Sequence, residues 1–285
     1  MPESDAAVSP LDNLIVSSLK LQSRTKELYR ACVADFVRFA GTDPSAYTAV
    51  LVEGWLHSLL ESRQPQTVNV YRKALQFASR RWVKHQVAGE LPRVDFAASA
   101  DRVNAKAPPP RKPLTYEEAG KLIDACSGDK LIDVRDRALI VLAFRSGLRR
   151  GGLAALQLDG IEPPRITTIN KGGETITFEA DAETLAELER WTRHVIAAGL
   201  TGTVFRRVKR DQIGDAMTPF QIWRVFNARA KQAGIRHVFP HLARHSTVTW
   251  LREEGTSAAM VRNLTGQTEK TIEDIYTHVR TDGSV

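Results

Sequence analysis

Apolar residues recur at a helical period along the first third of the 285-residue chain. In three segments most of them lie three or four positions apart, which places them on one face of an α-helix. These residues are Leu28, Cys32, Phe36 and Phe39 in the first segment, Val50, Leu51, Trp55 and Leu59 in the second, and Val70, Ala74, Phe77, Ala78 and Trp82 in the third. Thr67 is the predicted N-cap of the third helix. The pattern predicts an all-helical domain over residues 15–100.

A proline-rich segment follows this domain. Residues 105–113 read AKAPPPRKP, with four prolines and no long apolar side chain. Such a segment is stiff and extended, and it has nothing to contribute to a core. We therefore predict a linker over residues 101–113 and a second domain over residues 114–285.

The second domain shows both helical and strand periods. Thr115 and Glu118 form a predicted capping box, and an apolar helix over 131–144 stops at Ser146-Gly147. β-branched residues alternate over 165–170 and 174–179, which predicts a β-hairpin. Further helices are predicted at about 181–198, 219–232, 242–253, 257–264 and 269–279. The predicted fold class is mainly α with a small β-sheet, arranged as two domains that close as a C-shaped clamp.

The charges are unevenly spaced. The chain has 40 Lys and Arg against 33 Asp and Glu, a formal net charge of +7. No acidic residue lies between Glu61 and Glu90, between Asp101 and Glu117, or between Asp215 and Glu253. Three basic windows of this kind favour a polyanionic partner with a phosphate backbone. The alternative is a set of solvated helix faces whose counter-charges come from elsewhere in the fold.

Several classes of protein are excluded at this stage. The longest apolar run, Ala138–Phe144, is far shorter than the ~20 residues of a membrane span. Cys32 and Cys126 form neither a disulfide framework nor a zinc set. The sequence has no Gly-rich phosphate loop, CxxC, HExxH or carboxylate cluster. We expect a cytoplasmic protein with no metal, no cofactor and no membrane partner.

The remaining chemistry is basic, with one tyrosine near the end of the sequence. In a phosphodiester cleavage without a metal ion, guanidinium groups can stabilise the charge on the non-bridging oxygens. A lysine can protonate the departing oxygen, and a tyrosine can act as the nucleophile. The candidates for these roles are Arg149, Lys171, His241, Arg244 and Tyr276.

These residues occur in the order of the motifs of a known protein family. Ser146-Gly147-Leu148-Arg149 resembles the first arginine box of the tyrosine recombinases, the phage-type integrases of the Cre/Xer group. Residues 241–245, HLARH, are similar to the HxxRH box of that family, and Tyr276 lies 32 residues after Arg244. Lys171 lies in the predicted hairpin turn, at the place of the family's hairpin lysine.

The resemblance implies a mechanism and a set of roles. Tyr276 would attack the scissile phosphate to give a 3′-phosphotyrosine intermediate, without ATP or metal. Arg149 and Arg244 would hold the phosphate, Lys171 would be the general acid, and His241 an acid or base. The implied partners are a double-stranded DNA recombination site and three further copies of the chain, in a homo-tetramer on synapsed DNA.

Two positions depart from the family pattern. Gly152 stands where the family has a glutamate, and Gln267 stands where it prefers histidine or tryptophan. A glutamine amide donates to a phosphate but transfers no proton. We expect Gln267 to take part in the site and activity to survive. The alternative is a catalytically weakened, recombinase-derived protein that binds a DNA sequence without cutting it, and a weaker rival is a topoisomerase.

DNA contacts are expected on two helices, one in each domain. A helix over 66–84 is expected to contact DNA bases and backbone. The helix over 219–232 is expected to enter a major groove. The predicted contact residues are Gln66, Arg72, Arg80 and Arg81 in the first helix, and Gln221, Arg224 and Lys231 in the second.

Overall fold

The computed structural model describes residues 9–87, 90, 92–105, 112–169, 173–265 and 267–273. The chain divides into two compact units, Met1–Pro108 and Pro109–Val285. Each has its own hydrophobic core. Of the predicted linker, residues 106–111 lie outside the described residues.

The first unit is a bundle of helices. Its elements are α1 (Pro10–Val16), α2 (Ser23–Ala40), a 3-10 turn (Pro44–Ala46), α3 (Ala49–Leu60) and α4 (Pro65–Lys84). Phe36 of α2 lies at the centre of the core, edge-on to Tyr47 at 4.9 Å and to Trp55 at 5.0 Å between ring centroids. The helices predicted from the apolar period are confirmed as α2, α3 and α4.

The ends of this unit differ from the sequence-based expectation. The prediction that α4 starts from Thr67 is wrong, because the helix begins at Pro65. Proline suits the first position of a helix, where no amide hydrogen is needed. The short helix α1 was not predicted, yet Leu11 and Ile15 are fully buried in the core. At the other end Asn69 exchanges two hydrogen bonds with the backbone of Val103, at 2.9 and 3.0 Å.

Within its described residues, the second unit is mostly helical with two small antiparallel sheets. Its helices are α5 (Tyr116–Asp124), α6 (Leu131–Ser146), α7 (Arg150–Ala155), α8 (Ala182–Ala197), α9 (Pro219–Gln232), α10 (Pro240–Glu253) and α11 (Ala258–Thr265). The capping box of Thr115 and Glu118 is confirmed. Helix α6 is the central element, since its buried residues cover most of its circumference. The predicted fold class, mainly α with small sheets, is therefore confirmed.

The strands form two hairpins. The first sheet has the order β1 (Ile161–Glu162), β2 (Arg165–Ile169) and β3 (Thr175–Glu179), with Ile166 opposite Phe178. It contains the predicted hairpin. The second pairs β4 (Arg206–Lys209) with β5 (Gln212–Ala216), and it was not predicted. Its turn is made by Arg210 and Asp211, both at positive φ, and this pair lacks the Asn-Gly signal of a hairpin turn.

A buried ion-pair network joins α6 to α9. Asp136 accepts hydrogen bonds from Arg135 at 2.5 Å and from Arg229 at 2.7 Å. Arg229 also pairs with Asp133 at 2.7 Å and donates to the carbonyl of Ala125 at 2.9 Å. The three residues Arg135, Asp136 and Arg229 are almost completely buried. Removing one member leaves a charge without its partner in the interior, which is strongly destabilising.

We predict that Arg229→Met lowers the free energy of unfolding of the second unit by about 3 kcal/mol, because it leaves Asp133 and part of Asp136 unpaired. The matched control is Arg193→Met, which breaks an exposed pair with Glu189 within α8 and costs about 0.5 kcal/mol or less. Hydrogen exchange of the α6 and α9 amides measures this unit alone. Equal losses of protection in the two variants would contradict the network's role.

Candidate active site

The turn after α6 is built around Gly147. Its φ and ψ of 59° and 23° lie in the left-handed region, and its amide donates to the carbonyl of Ala143 at 3.0 Å. A Cβ at this position would lie 3.0 Å from Thr265 Cγ2 and 3.5 Å from Thr247 Cγ2. Glycine therefore serves two needs here, the backbone conformation and the close approach of α10 and α11.

Arg244 of α10 contacts this turn from the interior of the unit. Its side chain is fully buried, and Nη1 donates to the Gly147 carbonyl at 2.5 Å. Nε and Nη2 have no hydrogen-bond partner among the described residues. Buried donors without partners are costly, and a guanidinium is a planar fork that matches an oxyanion. Arg244 is therefore suited to hold a phosphate oxygen.

Hydroxyl groups hold the helix that carries Arg244. Thr247 Oγ1 donates to the carbonyl of Phe144 in α6 at 2.7 Å. Ser246 Oγ accepts from the amide of Leu114 at 2.8 Å. Because both side chains are buried, these bonds fix α10 against α6 and against the start of the unit.

Arg149 is the N-cap residue of α7 and is half-buried. Burial, together with the charge of Arg149, lowers the pKa of Arg244 to about 9. The Arg244 guanidinium therefore stays charged at neutral pH although the neighbouring Arg149 repels it. An anion bound between them would relieve the repulsion and supply acceptors for the unpartnered donors of Arg244.

Two histidines flank Arg244 on α10. His241 is exposed and begins the first turn, whereas His245 is half-buried. Burial and the neighbouring His241 lower the pKa of His245, so its imidazole is neutral at pH 7. His245 Nδ1 has no hydrogen-bond partner within the described part of the chain.

Gln267 follows α11 and is only 6% exposed. Its Oε1 has no hydrogen-bond partner among the described residues. It lines a cleft of about 690 Å³ between α11 and strand β3, together with Thr175, Thr177 and Arg262. Since Thr265 of α11 packs on Gly147, this segment approaches the same turn that Arg244 contacts.

Two of the predicted catalytic residues cannot be placed. Lys171 and Tyr276 lie outside the described residues. The strands before and after Lys171 are paired in register, and Thr168 of β2 donates to the carbonyl of Gly152 in α7 at 2.9 Å. This bond ties the hairpin to the helix that begins beside Arg149. Gly152, where the resemblance expects a glutamate, thus contributes its backbone alone.

Sequence reasoning missed the threonines that support this site. Thr168, Thr247 and Thr265 are all buried, and each contacts a turn or helix that carries a predicted site residue. A threonine within an apolar period has no distinctive spacing, so no local signal marks it. The sequence marked Gly147 as a helix stop and as part of the first arginine box, but it did not reveal the contacts with Thr247 and Thr265.

The predicted DNA contacts of α4 are of two kinds. Arg72 donates to the carbonyl of Ala100 at 3.0 Å, and Arg81 donates to the carbonyl of Leu14 at 2.7 Å. These two side chains are therefore engaged within the unit. Gln66 is exposed, and Arg80 is exposed with its Nε bonded to the carbonyl of Gln76.

The predicted contacts of α9 also differ. Gln221 closes the capping box with Thr218, its Oε1 accepting from the Thr218 amide at 2.8 Å. Arg224 and Lys231 are exposed, and the described residues supply no partner for either. Other arginines of the same basic window are paired, Arg236 with Glu118 and Arg252 with Glu273. Counter-charges from elsewhere in the fold thus neutralise part of the window.

The part of the chain that the structure describes contains no group of three or more His, Cys, Asp or Glu side chains that could hold a metal ion. None of the described helices is long and apolar enough to cross a bilayer.

The sequence is similar to those of known proteins. Residues 112–282 match the model of the phage integrase family. The tyrosine recombinase XerD of Ralstonia nicotianae is 30% identical over 249 residues, which cover 83% of this chain and 74% of that protein. The tyrosine recombinase XerA of Pyrococcus furiosus is 30% identical over 171 residues, and the match spans only 57% of its length.

Solved structures share the fold. Lambda integrase residues 75–356, as a dimer bound to a COC′ core site, superpose with a TM-score of 0.70 at 16% identity, covering 92% of this chain and 91% of that one. Lambda integrase as a tetramer bound to a Holliday junction has a TM-score of 0.70 at 17% identity, covering 93% and 74%. The fold is therefore that of the tyrosine recombinases. The family match extends over more than half of the sequence, and the chain belongs to the phage integrase family.

We predict that Gly147→Ala destabilises the second unit by about 2–3 kcal/mol, combining the strain of a positive φ with the contacts to Thr265 and Thr247. The matched control is Gly234→Ala, at a φ of 65° with no atom within 4 Å of the added Cβ. This control introduces only the backbone strain, which costs about 1 kcal/mol. Thermal unfolding followed by circular dichroism gives both values. Equal losses would show that the close approach contributes nothing.

We predict that sulfate or inorganic phosphate stabilises the wild-type chain through Arg244. At tenfold its Kd, a bound anion adds about 1.4 kcal/mol, which raises the Tm of a unit of this size by about 3–5 °C. Arg244→Met removes this gain, whereas Arg236→Met, which breaks the pair with Glu118 and a hydrogen bond to the Pro113 carbonyl, retains it. The Tm is measured against sodium chloride at equal ionic strength. If the increase in Tm were unchanged in Arg244→Met, the anion would bind at another site.

Proposed function

We propose that this chain is a site-specific DNA recombinase that cuts and rejoins duplex DNA through a 3′-phosphotyrosine intermediate. The observation that carries the proposal is the buried guanidinium of Arg244, which has two unpartnered donor atoms and lies within electrostatic reach of Arg149. Membership of the phage integrase family supports the same conclusion.

In the proposed reaction Tyr276 is the nucleophile. Its oxygen attacks the scissile phosphorus, a P–O bond to the tyrosine forms, and the bond to the 5′-oxygen breaks. Lys171 protonates the departing 5′-oxygen. His241 accepts the proton of the tyrosine hydroxyl and returns it when the strand is rejoined. Rejoining is the reverse attack by a 5′-hydroxyl, so the energy of the original bond is retained in the intermediate.

The basic residues stabilise the transition state. Arg149 and Arg244 donate to the non-bridging oxygens, on which negative charge increases during attack. Because Arg244 is already fixed against Gly147, little reorganisation is needed when the phosphate binds. Gln267 donates through its amide to the same phosphate and transfers no proton.

Duplex DNA is the proposed partner of both domains. The helical domain at 15–100 contributes Gln66 and Arg80, and the catalytic domain at 114–285 contributes Arg224 and Lys231. Lambda integrase forms a tetramer on a Holliday junction, and we propose the same number of subunits for this chain on synapsed DNA. The protein acts in the compartment that contains its target DNA.

Covalent trapping tests this proposal. Binding sites are first recovered from a pool of random duplexes by retention on the wild-type chain, and a nicked duplex with the recovered site then serves as the suicide substrate. The wild type is expected to form a denaturant-resistant protein–DNA adduct, whereas Tyr276→Phe forms none because it lacks the nucleophilic oxygen. The control is Tyr116→Phe, which removes an exposed hydroxyl bonded to Glu254 in the same unit.

Three results would change the proposal. Tight binding without an adduct in the wild type would replace it with sequence-specific binding without cleavage. An adduct formed by Tyr276→Phe would show that another residue is the nucleophile. Relaxation of DNA without exchange between two marked duplexes would indicate a topoisomerase.

A further inference from the structure

The outer face of α9 carries an alternation of apolar and basic side chains. Four of its five exposed positions are spaced by four, four and three residues, so they form one stripe along the helix. The stripe consists of Phe220, Arg224, Ala228 and Lys231. The opposite face, with Ile222, Val225, Phe226, Arg229 and Ala230, is buried in the unit.

Phe220 is an unusual residue for such a position. It is 61% exposed, and its ring stacks on Trp223 with centroids 5.6 Å apart and planes 13° from parallel. Trp223 in turn contacts His237, with ring centroids 6.0 Å apart. Trp223 therefore packs against one side of the Phe220 ring, and the rest of the ring is exposed to solvent. A side chain held in this way loses little rotamer freedom when it binds a partner.

The charges of the stripe indicate the chemistry of the partner. Helix α9 contains no acidic residue, and within the described residues neither Arg224 nor Lys231 has a hydrogen-bond or ion-pair partner. An apolar protein surface would leave these two cations unpaired on binding. A polyanion with an apolar group beside a hydrogen-bond acceptor satisfies all four side chains. The major groove of duplex DNA offers this combination in the thymine methyl group and the guanine O6 and N7 atoms.

The spacing of the stripe fits neighbouring base pairs. Phe220 and Ala228 each lie four residues from Arg224, about 6 Å along the helix axis. Base pairs are about 3.4 Å apart along a strand. An apolar side chain of the stripe can therefore reach a base within two steps of the one that Arg224 contacts.

We propose that Phe220 is a specificity-determining residue that contacts the 5-methyl group of a thymine in the major groove, within two base pairs of a guanine bound by Arg224. Lys231 contacts the phosphate backbone. This inference rests on the proposed function, because it requires α9 to bind DNA. It adds a base preference that the phosphate-binding arginines cannot supply.

The test compares thymine with deoxyuridine, which lacks only the methyl group. A duplex recovered from the random pool by the full wild-type chain is resynthesised with deoxyuridine at each thymine in turn. At one thymine within two steps of a guanine, the wild type is expected to bind about fourfold more weakly, the value of one buried methyl group. Phe220→Ala is expected to bind both duplexes equally and to recover sites without a thymine preference at that position.

Three variants serve as controls. Ile196→Ala removes an apolar side chain of similar exposure, 62%, from α8 and should keep the fourfold difference. Phe220→Leu keeps an apolar contact and should keep part of it. Lys231→Ala should weaken binding to all sequences alike and lower the salt slope by about 1.

The outcomes separate this inference from the proposed function. Adduct formation by the wild type together with equal binding of thymine and deoxyuridine duplexes would overturn the role of Phe220 alone. A methyl effect that persists in Phe220→Ala would also overturn it, since another residue would then make the contact. Failure of the wild type to bind any duplex would overturn the proposed function, and this inference with it.

Discussion

The hydrogen bond from the Arg244 guanidinium to the Gly147 carbonyl joins the two segments on which the candidate site depends. It forms only because Gly147 adopts a left-handed conformation and has no Cβ to meet Thr247 and Thr265. The same bond satisfies one nitrogen of a fully buried cation and leaves two others as donors. A charge held in this way is poorly compensated by the protein itself. The candidate site thus has donors available to an anion, at a cost in local stability that is typical of preorganised active sites.

The buried arginines of the second unit lie in two opposite electrostatic environments. Arg229 has carboxylate partners in Asp133 and Asp136, and these two ion pairs link α6 to α9. Arg244 has no carboxylate partner in the described part of the chain, and Arg149 lies close enough to lower its pKa. The first arrangement holds helices together, and the second creates a positive potential. Burial alone does not distinguish a structural arginine from a functional one, whereas the partners do.

Helix α9 packs one face into the fold and exposes the other to solvent. Its inner face contributes Phe226 to the core and Arg229 to the ion-pair network, so the helix is rigidly held. Its outer face presents Phe220 and Arg224 to solvent. Ring contacts continue from Phe220 through Trp223 and His237 to Phe239, the residue that caps α10. A series of ring contacts thus connects Phe220 to the start of the helix that carries Arg244.

The sequence by itself determined the long helices and one hairpin, and it supplied the candidates for the chemistry. Apolar periods located the long helices, and alternation located the β2–β3 hairpin, because both signals are local. It did not reveal the β4–β5 hairpin, whose Arg210-Asp211 turn lacks the usual residues, or the partners of individual charges. Only the tertiary structure decided which basic residues are paired, as Arg229 and Arg236 are, and which keep donors for a ligand, as Arg244 does. The reason is physical: an ion pair depends on distance in space, and residues such as Asp136 and Arg229 lie 93 positions apart in the chain.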